Sequence, residues 1–358
     1  IKTDISFSGF PNGLTINVNT DKKNLAAALA LLDDLLRNPK FDAAEFDKAV
    51  LDAKASTEAN MSDPQTIVSE KLSKLTTNYP KGHPSYASSS AEQLEELAKT
   101  SLDDVKNFYK DFYGANNSIS AFVGELDKNT ITGFLNKTFG TWDSKMKFTA
   151  IAPKHFDVKG GTEAINTPDK TNAVVLGNIN INISETHKDY PALFMANELL
   201  GGGAFLSSRI PMRLRENEGM SYGAGTYMNS NYKYDVTNWG LYAIFNPLYK
   251  GRLDSAMHQE IDKAIAAGFT KDELTKSVSA WIEGNKTSLG MNDFLARQLR
   301  WYIRDGRDLT DFTNFESRVK ALTTDAVNAA MKKYFDKSKL VVVYGGEFDK
   351  TKPADKPA

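Results

Sequence analysis

The hydrophobic pattern divides the chain into two runs of alternating strand and helix signals. Residues 5–19 alternate around Pro11-Asn12-Gly13, a turn tripeptide, and predict a pair of strands. From Asn24 to Leu36 the period lengthens: Leu25, Leu29, Leu32 and Leu36 share one helical face, and "RNPKF" ends it. Further helices are expected over Asp42–Asn60 and Gln65–Thr76, and then, beyond the turn-rich loop "NYPKGHPSYASSS", over "SAEQLEELA" and "SLDDVKNFYKDFY". Ser101 opens the last of these, with Asp104 as a carboxylate variant of the capping box. "NSISAFVGELD" (117–127) predicts a strand and "TITGFLNKTFGTW" a helix. From Asp143 to Lys159 no period holds, which predicts an exposed linker.

Beyond the linker the pattern recurs. "LTTDAVNAAMKKYF" followed by "KLVVVYGGEFDK" repeats "SLDDVKNFYKDFY" followed by "SISAFVGELDK", with Gly124 matching Gly346 (346 − 124 = 222) and Val105 matching Val327. "GFTKDELTKSV" likewise echoes "KFDAAEFDKAV". So long a period indicates a duplicated domain, not a solenoid. The expected division is a first repeat at 1–143, a linker at 144–159, a complete second repeat at 160–350 and a disordered tail at 351–358. A second copy beginning near Ile151 places the start of the first about 70 residues ahead of Ile1, so the first repeat is expected to lack its leading strands and helix. The fold class is α+β: two homologous α/β domains, each a largely antiparallel sheet with helices on one face.

One stretch departs from a generic pattern: Leu199–Tyr227, "LLGGGAFLSSRIPMRLRENEGMSYGAGTY". Gly201, Gly202 and Gly203 follow the helix of "YPALFMANELL" and allow positive φ or a close backbone approach. Ser207 or Ser208 is the candidate N-cap of a short helix running to Glu218, and Gly219 stands where a helix end favours a left-handed residue. "MSYGAGTYM" then reads as a strand. Arg215 and Tyr222 straddle this helix-to-strand joint, so a guanidinium and a phenol can point into one space.

"LGGGAFLSSRIPMRLRENEGMSYGAG" resembles the segment of the pitrilysin/insulinase family of zinc metallopeptidases in which a Gly-rich turn precedes S-R-L and L-R-E-x-x-G-x-x-Y. In the non-catalytic half of that family an Arg and a Tyr seven positions apart reach the zinc site of the catalytic half, and Arg215 and Tyr222 have that separation (222 − 215 = 7). The catalytic half binds zinc through H-x-x-E-H and a later Glu. Here His83, His155, His187 and His258 are isolated, "YPALFMANELLGG" holds no His, and "VLDAKASTEANMSDP" puts Ala53 at the Glu position with Lys54 beside it. The resemblance therefore implies the non-catalytic half: no metal bound by this chain, zinc in an H-x-x-E-H partner half on the same polypeptide or a separate subunit, and peptides or unfolded segments as substrates. It implies catalytic roles for Arg215 and Tyr222, substrate contacts for Gly201, Gly202, Gly203 and Arg209, and a bacterial periplasmic or secreted location, which the Cys-free composition permits.

Plainer readings stand beside these. The glycines serve equally as a helix stop, Arg209 as a loop anchor to a carboxylate, and Glu198, without a partner His, as a structural residue. Trp239, Tyr242 and Phe245 lie in a Gly-bounded, β-branched run and are expected in sheet core or edge. A formal net charge of −1 gives no footprint for nucleic acid, no apolar run reaches the length of a membrane span, and the absence of cysteine excludes disulfides, thiolate metal sites and Cys nucleophiles. At 358 residues, with 41% hydrophobic and 25% charged residues, the chain has the composition of a globular protein with room for two cores. The alternatives are a non-enzymatic scaffold of the same fold and a homodimeric peptidase; intact Arg215 and Tyr222 argue against the first and Ala53 against the second.

Overall fold

The structure, a computed structural model, describes residues 2–203 and 208–349. The N-terminal portion comprises β1 (Thr3–Phe10), β2 (Gly13–Thr20), α1 (Leu25–Arg37), α2 (Ala43–Asn60), α3 (Pro64–Thr76), α4 (Ser90–Leu97), α5 (Leu102–Phe112) and α6 (Lys128–Phe139). The C-terminal portion runs β3 (Gly161–Asn166), β4 (Ala173–Ile181), α7 (Tyr190–Asn197), α8 (Arg209–Pro211), β5 (Ser221–Ser230), β6 (Thr237–Phe245), α9 (Lys250–Ala266), α10 (Lys271–Leu289), α11 (Asn292–Asp305), α12 (Asp311–Lys320), α13 (Thr324–Tyr334) and β7 (Val341–Gly346).

Local chemistry sets most of these boundaries. β1 and β2 pair antiparallel from Thr3↔Thr20 to Phe10↔Gly13 around the Pro11-Asn12 turn. Asp42, Asp63 and Asp127 cap α2, α3 and α6 by accepting backbone N–H groups. Ser101 and Asp104 close a reciprocal capping box on α5, as Ser89 and Glu92 do on α4 and Thr270 and Glu273 on α10.

The main sheet has strand order β3-β7-β4-β6-β5, antiparallel except for β3 with β7. Its inner face carries the largest core, in which Trp239, Phe245, Val175 and Ile179 pack beneath Leu193, Met195 and Leu200 of the α7 region, Met257 and Ile261 of α9, and Val327 and Met331 of α13. α3, from the N-terminal portion, crosses the outer face: Val68 and Leu72 pack on Val341 and Val343, with Leu176 beside them. Helices thus lie on both faces of this sheet, and the outer one is supplied from far away in sequence.

The spacing of 222 residues is visible in the elements. α5 and α13 span 102–112 and 324–334, and their residues Val105 and Val327 hold equivalent positions (327 − 105 = 222). The surroundings differ. β7 lies between β3 and β4, whereas residues 117–127, expected as a strand, form no ladder. An extended segment becomes a strand only when neighbours take its N–H and C=O groups, and among the described residues none pairs with this one. α5 shows the same lack: Val327 is fully buried, while Val105 is 38% exposed and Phe108 56% exposed. α13 packs on α7, and the described N-terminal portion offers α5 no equivalent helix.

Truncating the matched valines separates the two environments. Val327→Ala is expected to cost about 2 kcal/mol through lost burial and a residual cavity, and Val105→Ala no more than about 0.5 kcal/mol. Urea midpoints of the two variants check this; equal losses would show that the apolar face of α5 is covered in solution.

Candidate functional site

The joint between α8 and β5 is built from the core outward. α8 continues into a π-helical turn, Met212–Asn217, so the expected Ser208–Glu218 helix is present but wound more widely than an α-helix after its first turn. Ile210 and Leu214 are buried in the main core and fix which side faces inward. Ser208 holds the N-cap position without a capping bond, its hydroxyl buried and without a partner among the described residues; Ser207 lies outside them. Gly219 adopts φ +61°, Gly219 N–H donates to Arg215 O at 3.1 Å, and Met220 N–H to Leu214 O at 2.8 Å. These bonds close the turn and start β5 within three residues.

Two of the three arginines here hold the joint in place. Arg209 donates to both carboxylate oxygens of Glu273, Nε at 2.7 Å and Nη2 at 3.0 Å, and to Gly268 O at 2.8 Å, with its guanidinium over the Phe269 ring. Of its two sequence readings, the anchor is the one this geometry supports, because the fork expected to touch substrate is committed to Glu273. Burial works to raise the Glu273 pKa, but the Arg209 fork and the Thr270 bonds prevail and hold it at about 2. Arg213 bonds Glu218, and reaches Glu260 at 2.8 Å and Gln259 at 2.9 Å on α9. Arg215 instead turns outward: its side chain is 48% exposed and lies 3.7 Å from the adjacent Glu216 carboxylate.

Tyr222 is aimed by a β-bulge. Ser221 pairs with Phe245 and Gly223 with Ile244, leaving Tyr222 as the extra residue without a partner across the ladder. Ser221 Oγ lies 2.8 Å from the carbonyls of both Gly223 and Ile244, donating to one of them, and accepts from Gly223 N–H at 3.2 Å. The phenol stands 67% exposed and makes no hydrogen bond among the described residues. The sequence reading placed Arg215 and Tyr222 at this joint but missed the bulge. Its signal was Ser221-Tyr222-Gly223, a short hydroxyl able to satisfy a broken ladder beside a glycine that permits it.

The three glycines form the end of α7. Glu198–Gly202 is a π-turn, and Gly203 N–H donates to Glu198 O at 2.9 Å. Gly201 abuts β5 so closely that a Cβ would lie 2.9 Å from Thr226 N, so this residue is required by packing. Burial beside this turn raises the Glu198 carboxyl to about 7. Asn197 accepts from Trp239 Nε1 at 3.0 Å, so α7 is tied into the core. Trp239 and Phe245 are fully buried and Tyr242 is on the opposite face, as a sheet position requires.

The donor set does not fit a zinc ion. Among the described residues no group of three His, Cys, Asp or Glu side chains could hold a metal. His83 Nδ1 accepts from Ser85 N–H and His187 Nδ1 from Asp189 N–H, His258 faces Asp254 at 3.6 Å, and His155 lies in the linker. Also among the described residues, no helix is long and apolar enough to cross a membrane.

A family model described as the peptidase M16 inactive domain matches residues 99–280. The uncharacterised zinc protease YmxG of Bacillus subtilis is 25% identical over 255 residues, which is 70% of this chain and 58% of that protein. Across the curated zinc-protease relatives it matches, the chain spans 43–62% of their length. Among solved structures, a peptidase M16 inactive domain from Pseudomonas fluorescens superposes with a TM-score of 0.82 at 20% identity, covering 99% of this chain and 82% of that one. The periplasmic protease PqqL from Escherichia coli superposes at 0.72 and 13% identity, over 96% of this chain and 37% of that one.

The raised Glu198 pKa carries a prediction. Its folded value lies above the unfolded one, so the native state binds the extra proton and stability falls as pH rises from about 4.5 through 7. Glu198→Gln is therefore expected to raise the melting temperature at pH 8 and leave it nearly unchanged at pH 4, as thermal unfolding at the two pH values would show. A uniform shift at both would place the effect in packing and not in ionisation.

Proposed function

This chain belongs to the peptidase M16 family through its inactive domain, and from that premise we propose that it is the non-catalytic, substrate-binding half of a zinc-dependent endopeptidase. The observation that carries the reading is the aimed Tyr222: a phenol left exposed by a bulge, on the same helix-to-strand joint as the half-exposed Arg215. A fold needing only a scaffold has no use for a bulge that displays a tyrosine at 67% exposure.

In this reading zinc belongs to an H-x-x-E-H partner half, on the same polypeptide or a separate subunit, and peptide-bond attack takes place there. Tyr222 donates its phenolic hydrogen bond to the oxyanion developing on the substrate carbonyl. Arg215 holds a neighbouring substrate carbonyl or orients Tyr222. Both groups are presented on a joint fixed by the Arg209 and Arg213 networks, which spares the transition state the cost of ordering them. Gly201, Gly202 and Gly203 shape the turn beside them, with Gly201 already committed to β5. The substrates are peptides or unfolded segments, which can enter between two halves. The likeness to zinc proteases supports the metal assignment, and the periplasmic neighbour supports a bacterial periplasmic or secreted location. We assign residues 1–143 and 160–350 as two copies of one domain joined by 144–159.

The test is peptidase activity on an unstructured fluorogenic peptide, with this chain combined with a zinc-bearing M16 half. This chain alone is expected to be inactive. In the combined enzyme Tyr222→Phe should lower kcat by roughly a hundredfold, the usual effect of losing one oxyanion donor, and Arg215→Ala by at least about tenfold. If both variants cleave like the unmodified protein while the halves still associate, the scaffold reading replaces this one.

A further inference from the structure

We propose that the outer face of β5 and β6 is a substrate-binding floor that holds apolar or aromatic side chains of an extended peptide, with Tyr242 and Tyr227 as its contact residues. The inference rests on the proposed function and extends it from the reacting carbonyl to the neighbouring substrate positions.

The two strands pair reciprocally here: Gly225 lies opposite Tyr242, and Tyr227 opposite Gly240. Each ring lies across the glycine of the facing strand. A Cβ on Gly240 would overlap the Tyr227 ring, and one on Gly225 would come within 2.9 Å of Gly201 O, 3.1 Å of Tyr242 Cε1 and 3.2 Å of its hydroxyl. Only glycine leaves room for the rings at these positions, and both rings keep surface towards solvent: Tyr242 is 37% exposed and Tyr227 36%. The remaining outward positions of the two strands, Gly223, Asn229, Asn238 and Ile244, are uncharged. The floor therefore presents π-faces and small groups with no formal charge, the chemistry that packs against aromatic, aliphatic or proline side chains.

The surroundings of the floor show where it opens. α3 covers the neighbouring outer face of β4 and β7, and Asn180, on β4, binds Thr76 O at 2.8 Å and Phe156 O at 2.9 Å, closing the far end with the linker. Towards the bulge from which Tyr222 emerges, the outward positions of β5 are Gly225, which also lies against Gly201 O of the π-turn, and Gly223. With an extended rise of about 3.3 Å per residue, Gly225 and its partner Tyr242 lie roughly 10 Å along the strand from Tyr222, and Tyr227 roughly 16 Å. A peptide carbonyl at Tyr222 thus places the third to fifth residues beyond it over the two rings. That continuity commits the floor to the substrate of the same site.

Two measurements keep the floor and the catalytic reading separate. The first is fluorescence-anisotropy binding of this chain to a labelled unstructured peptide carrying spaced phenylalanines, against the same peptide with serines. The phenylalanine peptide is expected to bind more tightly, and Tyr242→Ala to weaken it by roughly three- to tenfold, with Tyr242→Phe close to the unmodified protein. Should Tyr242→Ala not fold by circular dichroism, Tyr242→Leu, which keeps bulk over Gly225 without a π-face, takes its place. The second is kinetics in the combined enzyme: Tyr242→Leu should raise KM with kcat nearly unchanged, whereas Tyr222→Phe lowers kcat. Equal binding of the two peptides, or an aromatic-free variant that binds like the unmodified protein, overturns the floor and leaves the Tyr-Gly pairs as sheet packing. A Tyr222→Phe variant with normal kcat overturns the functional reading instead, whatever the peptides do.

Discussion

The C-terminal architecture depends on β4 being paired along both edges and covered on both faces. Its residues alternate between the main core and the α3 contact, and nearly all are buried, so every backbone group needs a protein partner. β6 and β7 supply those partners, and α7 and α3 supply the two covers. With β4 fixed, the register from Ala173↔Phe245 to Ile181↔Thr237 fixes β6, and β6 fixes β5 up to the bulge. Among the described residues the N-terminal portion has no such strand, and its elements are less complete. β2 pairs only with β1, residues 117–127 have no ladder among the described residues, and the apolar side of α5 stands half open.

The helix-to-strand joint uses charge for position. Glu260 is buried, and its carboxylate is shared by Arg213 and Lys263 at 2.8 and 3.0 Å. Removing one partner of such a group leaves a desolvated charge behind, which costs more than the pair contributes, so the arrangement specifies one geometry more than it adds stability. Arg209 does the same towards α10, where Glu273 is both capping-box residue and ion-pair partner. Two independent ties from α9 and α10 thus converge on a nine-residue turn, and a bulge that would otherwise fray is held between them and Ser221.

Much of this was legible where the determinant is local. The hairpin turn, the Ser101 capping box, the left-handed Gly219 and the amphipathic helices each depend on residues a few positions apart and formed where the pattern put them, whereas Ser208 holds its N-cap position without a capping bond. The features that were not legible depend on neighbours distant in sequence. The pattern of 117–127 is that of β7, yet a strand is a relation between segments, and no partner lies within the described chain. Arg209 was legible as an anchor to a carboxylate, but which carboxylate was not, because Glu273 is 64 residues away. The Tyr222 bulge escaped for a subtler reason: an extra residue in one strand is defined only against the register of the other. The packing role of Gly225 and Gly240 likewise depends on the facing tyrosines.

The same contrast bears on how the two ends of this region divide their tasks. α7 is buried along most of its length, holds no imidazole and ends in a π-turn locked onto Thr226 by Gly201. Across the joint the order reverses: the inward residues Ile210, Leu214 and Met220 are fully packed, while Arg215, Tyr222, Tyr242 and Tyr227 all keep polar or aromatic surface towards solvent. An isolated domain under pressure only to be stable would cover those rings, since each buried ring contributes substantial apolar area. Under the proposed function, leaving them open on one edge, on a backbone held by partly buried ion pairs, keeps a surface complementary to a substrate without rearranging to receive it.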